Sequence, residues 1–179
     1  MASEPAWKQY DGPPPMAIIA GRRYLARFKT EKGDFVVELA VPHVADIVNN
    51  FVFLARDGYY DSTAFHKVIE GSFSQGGDPK GDGKGDPGYR ISDQFSPHVR
   101  HDAPGVLTMA NRGPNTNGSQ FLIMHTAMPH MDDRNSAFGW VIEGMEVVLG
   151  MTLRDPEWDW PPPEGPGDLL YTVEIEEQL

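Results

Sequence analysis

Short apolar runs alternate along the chain with clusters of glycine, proline and aspartate, and their spacing predicts more strand than helix. Residues 24–28 and 35–39 are rich in aromatic and branched side chains, with Glu31, Lys32, Gly33 and Asp34 between them, which reads as a β-hairpin. From 42 to 56, Val48, Phe51, Val52, Leu54 and Ala55 fall on one face of a helix that Asp57 and Gly58 stop. The chain is expected to return as strand over 59–77, ended by Gly76 and Gly77, and then to make a loop-rich excursion over 78–105. Strands resume at 106–110 and 120–124, a second short helix is expected at 144–148, and 171–175 alternates as a closing strand. Many short strands, only two helices and no βαβ rhythm predict a mainly β domain built as a closed antiparallel barrel.

Residues 1–21 stand apart from this pattern. They carry Trp7, Tyr10 and three successive prolines, Pro13 to Pro15, which favour an extended segment lying along the domain. The expected division is therefore an extended segment over 1–21 and one folded domain over 22–179. A chain of 179 residues, 40% hydrophobic, is long enough for a domain with a sizeable core. The formal net charge of −11 argues against nucleic acid or an anionic membrane as partner, because both demand clustered lysine and arginine. With no cysteine, disulfides, thiolate metal sites and thiol catalysis are excluded. The expectation is a cytoplasmic monomer.

Several motifs resolve into ordinary loops. Residues 83–88 match GxGxxG formally, but Pro87 and the missing helical period after it speak against a phosphate turn. Asp78, Asp82 and Asp86 lack the ligand alternation and terminal glutamate of a calcium loop, and His98 with His101 lack a third zinc ligand. Ser119 lacks the surroundings of a hydrolase nucleophile. No cofactor and no metal are expected. His66 sits within an apolar strand and reads as a structural histidine, whereas Lys67 must face the other side of the sheet, where its charge calls for a partner.

The segment from Met109 to Phe121 is the most constrained in the chain. It packs Asn111, Asn115, Asn117 and Gln120 with Gly113, Pro114 and Gly118 between apolar ends, residues suited to one fixed turn geometry. With Phe65-His66-Lys67-Val68-Ile69 and Gln75-Gly76-Gly77-Asp78 upstream, it resembles the signature of the cyclophilin-type peptidyl-prolyl isomerases, in a single-domain, bacterial-like form. The resemblance implies an eight-stranded antiparallel barrel capped by two helices. It also implies catalysed rotation about X–Pro bonds in proline-containing peptides and unfolded proteins, in the service of folding.

Position by position, the resemblance places Lys67 where the family carries the arginine that donates to the proline nitrogen. It makes Gln75 the residue that orients substrate and Asn111 the one whose backbone bonds the peptide, with Ala110 and Gln120 lining the groove. His66 is given a supporting role. The proline pocket departs from the family: Ser72 and Leu122 replace phenylalanines, Phe73 a methionine, and Met131 a leucine. His130 stands where tryptophan is usual and Asn135 where histidine is. Lysine is a flexible point charge where arginine is a planar fork, so slower turnover is expected. Loss of the indole predicts weak binding of cyclosporin, the cyclic peptide commonly taken up in this groove. The alternatives are a proline-peptide-binding or chaperone module of the same fold with little catalysis, and a scaffold whose proline-rich start is a ligand for an SH3-like domain.

Overall fold

The computed structural model describes residues 7–179, so the first six residues of the expected N-terminal segment lie outside the described residues. Strands β1 (Arg23–Thr30) and β2 (Gly33–Leu39) form the expected hairpin, in register from Tyr24 opposite Leu39 to Thr30 opposite Gly33. The turn is narrower than its sequence suggests, because Gly33 and Asp34 already belong to β2. Helix α1 (Ala45–Arg56) follows and buries Ile47, Val48, Phe51, Val52, Leu54 and Ala55. Its N-terminus has no side-chain cap of its own. Gln94, from the long excursion, supplies one: its Oε1 accepts from the backbone N–H of Asp46 at 2.9 Å and of Ile47 at 3.2 Å.

Next come β3 (Thr63–Phe65), β4 (Lys67–Ile69), β5 (Phe73–Gly76), β6 (Val106–Met109) and β7 (Phe121–Met124). A 3₁₀ turn, Pro129–Met131, precedes β8 (Ala137–Glu143), helix α2 (Met145–Leu149) and β9 (Asp168–Gln178). All pairings are antiparallel, in the order β3-β9-β1-β2-β8-β6-β7-β5-β4. Nine strands stand where eight were expected, and the reason is local. His66 separates β3 from β4 within one run of chain whose halves pair at opposite edges of the sheet, so the barrel closes nearly completely around seven other strands. Strand β8 was not anticipated, although Phe138, Trp140, Val141 and Ile142 carry the usual β signal. Gly139 interrupts that run, and it has to: a Cβ there would lie 2.6 Å from the Glu38 carbonyl oxygen.

The barrel interior is aromatic. Phe28 stacks on Phe35 at 4.5 Å, and Phe121 meets Phe28, Phe51, Tyr60 and Phe65 edge-on at 5.6 to 6.1 Å. The described part of the N-terminal segment straps across α1. Asn49 Oδ1 accepts from the N–H of Ala17 and of Ile18, its amide donates to the Pro15 carbonyl, and Tyr10 packs on Phe53, Tyr59 and Tyr89. Among the described residues, no helix is long and apolar enough to cross a membrane.

Phe121 is fully buried and central to the aromatic cluster. Phe121→Ala should destabilise the protein by about 3–5 kcal/mol in urea unfolding, while Tyr171→Ala, at an exposed position of β9, should change stability by less than about 0.5 kcal/mol. Equal effects at the two positions would contradict this account of the core.

Candidate active site

The register of four strands builds the site floor. Lys67 on β4 lies opposite Gln75 on β5, Gln75 opposite Leu122 on β7, and Leu122 opposite Thr108 on β6. Directly opposed residues share a face, so these four form one rung across the outside of the barrel. Two residues along, Phe73 lies opposite both Ile69 and Met124. The intervening Val68, Ser74 and Ile123 are buried on the other face. His66 is buried, and its Nδ1 has no partner among the described residues.

A chain of amides fixes the polar end of this floor. Gln120 donates from Nε2 to the Gly85 carbonyl at 3.1 Å, which turns its Oε1 toward Gln75, and Gln75 Nε2 donates to that oxygen at 2.9 Å. The second N–H of Gln75 is thereby left for the groove. Ala110 donates its backbone N–H to the Gln120 carbonyl at 3.0 Å. Asn111 uses its side chain structurally: Nδ2 donates to the Arg134 carbonyl at 2.9 Å and Oδ1 accepts from the Gly113 N–H at 3.2 Å. Its own backbone N–H and C=O have no partner among the described residues. A cleft of about 110 Å³ opens here, lined by Gln75, Ala110, Asn111 and Gln120 together with Lys84, Arg90 and Arg112.

The apolar end is formed by Leu122, buried, and by Phe73 and Met131, each half-buried against the core. Asn135 does not face this end as a free amide, since its Nδ2 donates to the Met109 carbonyl at 3.0 Å. His130 lies exposed on the 3₁₀ turn at the rim. Beside Ser72 the structure places Met128, whose sulfur is 3.9 Å from Ser72 Oγ. Nothing in the local sequence pattern pointed to Met128.

A second, buried chain runs from the Thr108 end of this rung. Thr108 Oγ1 lies 2.9 Å from His101 Nε2, and His101 Nδ1 lies 2.8 Å from Asp132 Oδ1, which also accepts the His101 backbone N–H. Thr108 and His101 are both buried, so these residues anchor the 3₁₀ turn rather than act on substrate. Burial raises the Asp132 carboxyl but the His101 hydrogen bonds and Arg100 outweigh it, holding the carboxyl below the usual range. His98 packs against His43 with ring centroids 4.7 Å apart and planes tilted by 31°. Among the described residues, no group of three or more His, Asp or Glu side chains could hold a metal ion.

Lys67 has the partners its charge called for. Its Nζ is 3.7 Å from Asp155 Oδ1 and 3.3 Å from Glu157 Oε2. Both acids sit on the loop that follows Arg154, far from Lys67 in sequence, and no local motif pointed to them.

Burial depresses two imidazoles near the site, His66 and His125, below their ordinary value of 6.5. His125 Nε2 lies 2.8 Å from Ser74 Oγ. The unfolded chain binds these protons more tightly than the folded one. The stability they contribute is therefore complete above pH 6.5 and is lost as pH falls from 6.5 through the lower folded values. Thermal unfolding measured from neutral to acid pH should show this slope, and His125→Gln should flatten it. An unchanged slope would mean that His125 is not buried in its neutral form.

A family model described as cyclophilin type peptidyl-prolyl cis-trans isomerase/CLD matches residues 25–161. Among curated proteins, the chain is 44% identical over 134 residues to a peptidyl-prolyl cis-trans isomerase-like 1 of Neurospora crassa, covering 72% of this chain and 82% of that protein. It is 39% identical over 155 residues to the protein of the same name in Gibberella zeae, covering 84% and 96%. A Cryptosporidium parvum cyclophilin type peptidyl-prolyl cis-trans isomerase, whose crystal structure was determined in the presence of the dipeptide Ala-Pro, superposes with a TM-score of 0.76 at 33% identity, covering 85% of this chain and 98% of that one. These relatives are fungal and protozoan, so the likeness is not confined to bacterial-like forms.

Proposed function

This chain belongs to the cyclophilin-type peptidyl-prolyl cis-trans isomerase family, and we propose that it catalyses X–Pro rotation on the face formed by Lys67, Gln75, Asn111 and Leu122. The observation that carries this reading is the rung that sets Lys67 opposite Gln75 and Gln75 opposite Leu122. It puts a charged donor, an oriented amide and an apolar floor side by side, as rotation of an X–Pro bond requires.

The uncatalysed barrier of about 18–20 kcal/mol comes from amide resonance. Twisting the bond removes that resonance and leaves the proline nitrogen pyramidal, with a lone pair able to accept a hydrogen bond. A donor present only for the twisted state stabilises it over both planar isomers, and no covalent step is needed. On this reading Lys67 is that donor. Phe73, Leu122 and Met131, joined by Met128, offer the proline ring an apolar seat. The free N–H of Gln75 and the unpartnered backbone groups of Asn111 hold the residues before proline. With one part gripped and the other held by its carbonyl, torsion is confined to a single bond.

The departures from the family narrow this reading rather than remove it. An ammonium supplies single bonds where a guanidinium would supply two fixed ones, which supports a lower turnover than arginine would give. The exposed imidazole of His130 covers less apolar area than an indole and lacks its fixed N–H donor, which supports weak cyclosporin binding.

Two measurements test this. In a peptide isomerisation assay, Lys67→Ala should lower kcat/KM by about 10- to 100-fold and Gln75→Ala by about 10-fold, with unchanged unfolding midpoints. Saturable binding of proline peptides without turnover by the unaltered protein would replace this reading with a binding module. By titration, the protein should bind cyclosporin weakly and His130→Trp should tighten it. Tight binding by the unaltered protein would show that the rim has been misjudged.

A further inference from the structure

We propose that Asp155 and Glu157 are positioning residues for Lys67, an electrostatic tether that holds its ammonium over the groove while leaving its N–H groups for substrate. The inference rests on the reading of Lys67 as the donor. It adds two residues, on a loop remote in sequence, that make a lysine workable where a fork would otherwise be needed.

The distances carry the argument. Hydrogen bonds from nitrogen to oxygen cluster between about 2.7 and 3.2 Å. Lys67 Nζ stands outside that range from both carboxylates, at 3.7 Å and 3.3 Å, and donates no hydrogen bond among the described residues. It is attracted from two points without being saturated by either. Coulomb attraction has no preferred angle, so the ammonium can turn an N–H toward a substrate nitrogen without leaving its anchors. Had the acids taken short, aligned bonds, they would have competed with substrate for the same protons. A lysine side chain otherwise explores many rotamers, and confining it is the contribution a guanidinium gets from its own planarity.

The tether is built, not incidental. Val68 and Arg154 exchange backbone hydrogen bonds of 2.8 and 3.0 Å, which locks the residue after Lys67 to the residue before Asp155. The buried Arg154 side chain donates from Nε to the His66 carbonyl at 3.1 Å and from Nη2 to the Gly165 carbonyl at 2.8 Å. Lys67 is thus flanked on both sides by residues bonded to Arg154, and the far end of the acidic loop is pinned by the same guanidinium. Within the loop, Asp159 caps the Asp155 N–H at 2.7 Å, and Asp155 Oδ1 accepts the Glu157 N–H at 3.1 Å. The Asp155 carboxylate is therefore oriented by backbone as it faces Lys67. Both Lys67 and Asp155 are largely shielded, with side chains 20% and 18% exposed, which weakens screening by solvent.

The test is a double-mutant cycle in the isomerisation assay. Asp155→Asn with Glu157→Gln should lower kcat about 3- to 10-fold with little change in KM, and should cause no further loss in a Lys67→Ala background. Raising salt from about 0.02 to about 0.5 M should screen the exposed Glu157 and lower kcat of the unaltered protein by no more than about 2-fold, and should leave the doubly neutralised variant flat. Glu157, 70% exposed, gives a second route should the double change disturb folding: Glu157→Gln alone should lower kcat about 2-fold with an unaltered unfolding midpoint. If neutralising the acids leaves kcat unchanged or raises it while Lys67→Ala is impaired, the tether is overturned and the donor role of Lys67 stands. If the loss persists in the Lys67→Ala background, the acids act elsewhere and the tether is again overturned. If Lys67→Ala itself turns over normally, it is the donor reading that fails.

Discussion

One run of seven residues, 63–69, has to serve both edges of the sheet. Its first half pairs with β9 and its second half with β5, and His66 marks the change of partner. A sheet that ended at either edge would expose unpaired backbone groups, and closure removes that exposure. Closure also dictates the site. Once β4 lies against β5, Lys67 has only one face available, and it is the face that carries Gln75 and Leu122. The buried His66 and the outward Lys67 are consequences of the same alternation. So is the close passage of β5 under the aromatic core, where a Cβ on Gly76 would stand 3.2 Å from the Phe65 ring and one on Gly77 would stand 2.5 Å from the Ser119 carbonyl oxygen.

Polar side chains around the groove divide between those that hold the scaffold and those left for substrate. Asn111 and Asn135 spend their amides on the carbonyls of Arg134 and Met109, tying the segment after β6 to the approach of β8. Thr108, His101 and Asp132 tie the floor to the 3₁₀ turn that bears His130 and Met131. With these bonds made internally, groups left without a hydrogen bond among the described residues include the second N–H of Gln75, the backbone of Asn111 and the ammonium of Lys67, the last held by its two carboxylates through charge alone. Fixed donors of this kind need no rearrangement when substrate arrives, which is the condition for electrostatic stabilisation of a twisted amide.

Local periodicity made the hairpin, helix α1 and strands β6 and β7 legible in the sequence, because each is rich in apolar residues and bounded by turn residues, whereas the strand expected over 59–77 is broken by turns at 59–62 and 70–72 and by His66 into β3, β4 and β5. It also placed Lys67 and His66 on opposite faces from alternation alone. What it missed depends on distance along the chain. The cap on α1 comes from Gln94, the filler beside Ser72 is Met128, and the partners of Lys67 are Asp155 and Glu157; none has a local pattern that names its target. The nine-strand count was hidden for a similar reason. A strand split by a single residue looks continuous in sequence, and only pairing to two different neighbours divides it.

Charge acts differently in different parts of this molecule. Several of its ion pairs, such as Lys29 with Glu174 and Lys8 with Asp57, join exposed side chains, where solvent and salt leave each pair worth only about 0–1 kcal/mol. The acidic surface they belong to bears on solubility more than on the fold. The same kinds of residue at β4 stand where solvent is partly excluded, and there a carboxylate has a directional consequence: it can hold a flexible cation in one place. Lysine and arginine therefore differ less in charge than in what must surround them. A guanidinium brings its own geometry, while an ammonium needs geometry from its neighbours. Arg154, bonded to the backbone on both sides of Lys67, starts the loop whose carboxylates are in position to provide it.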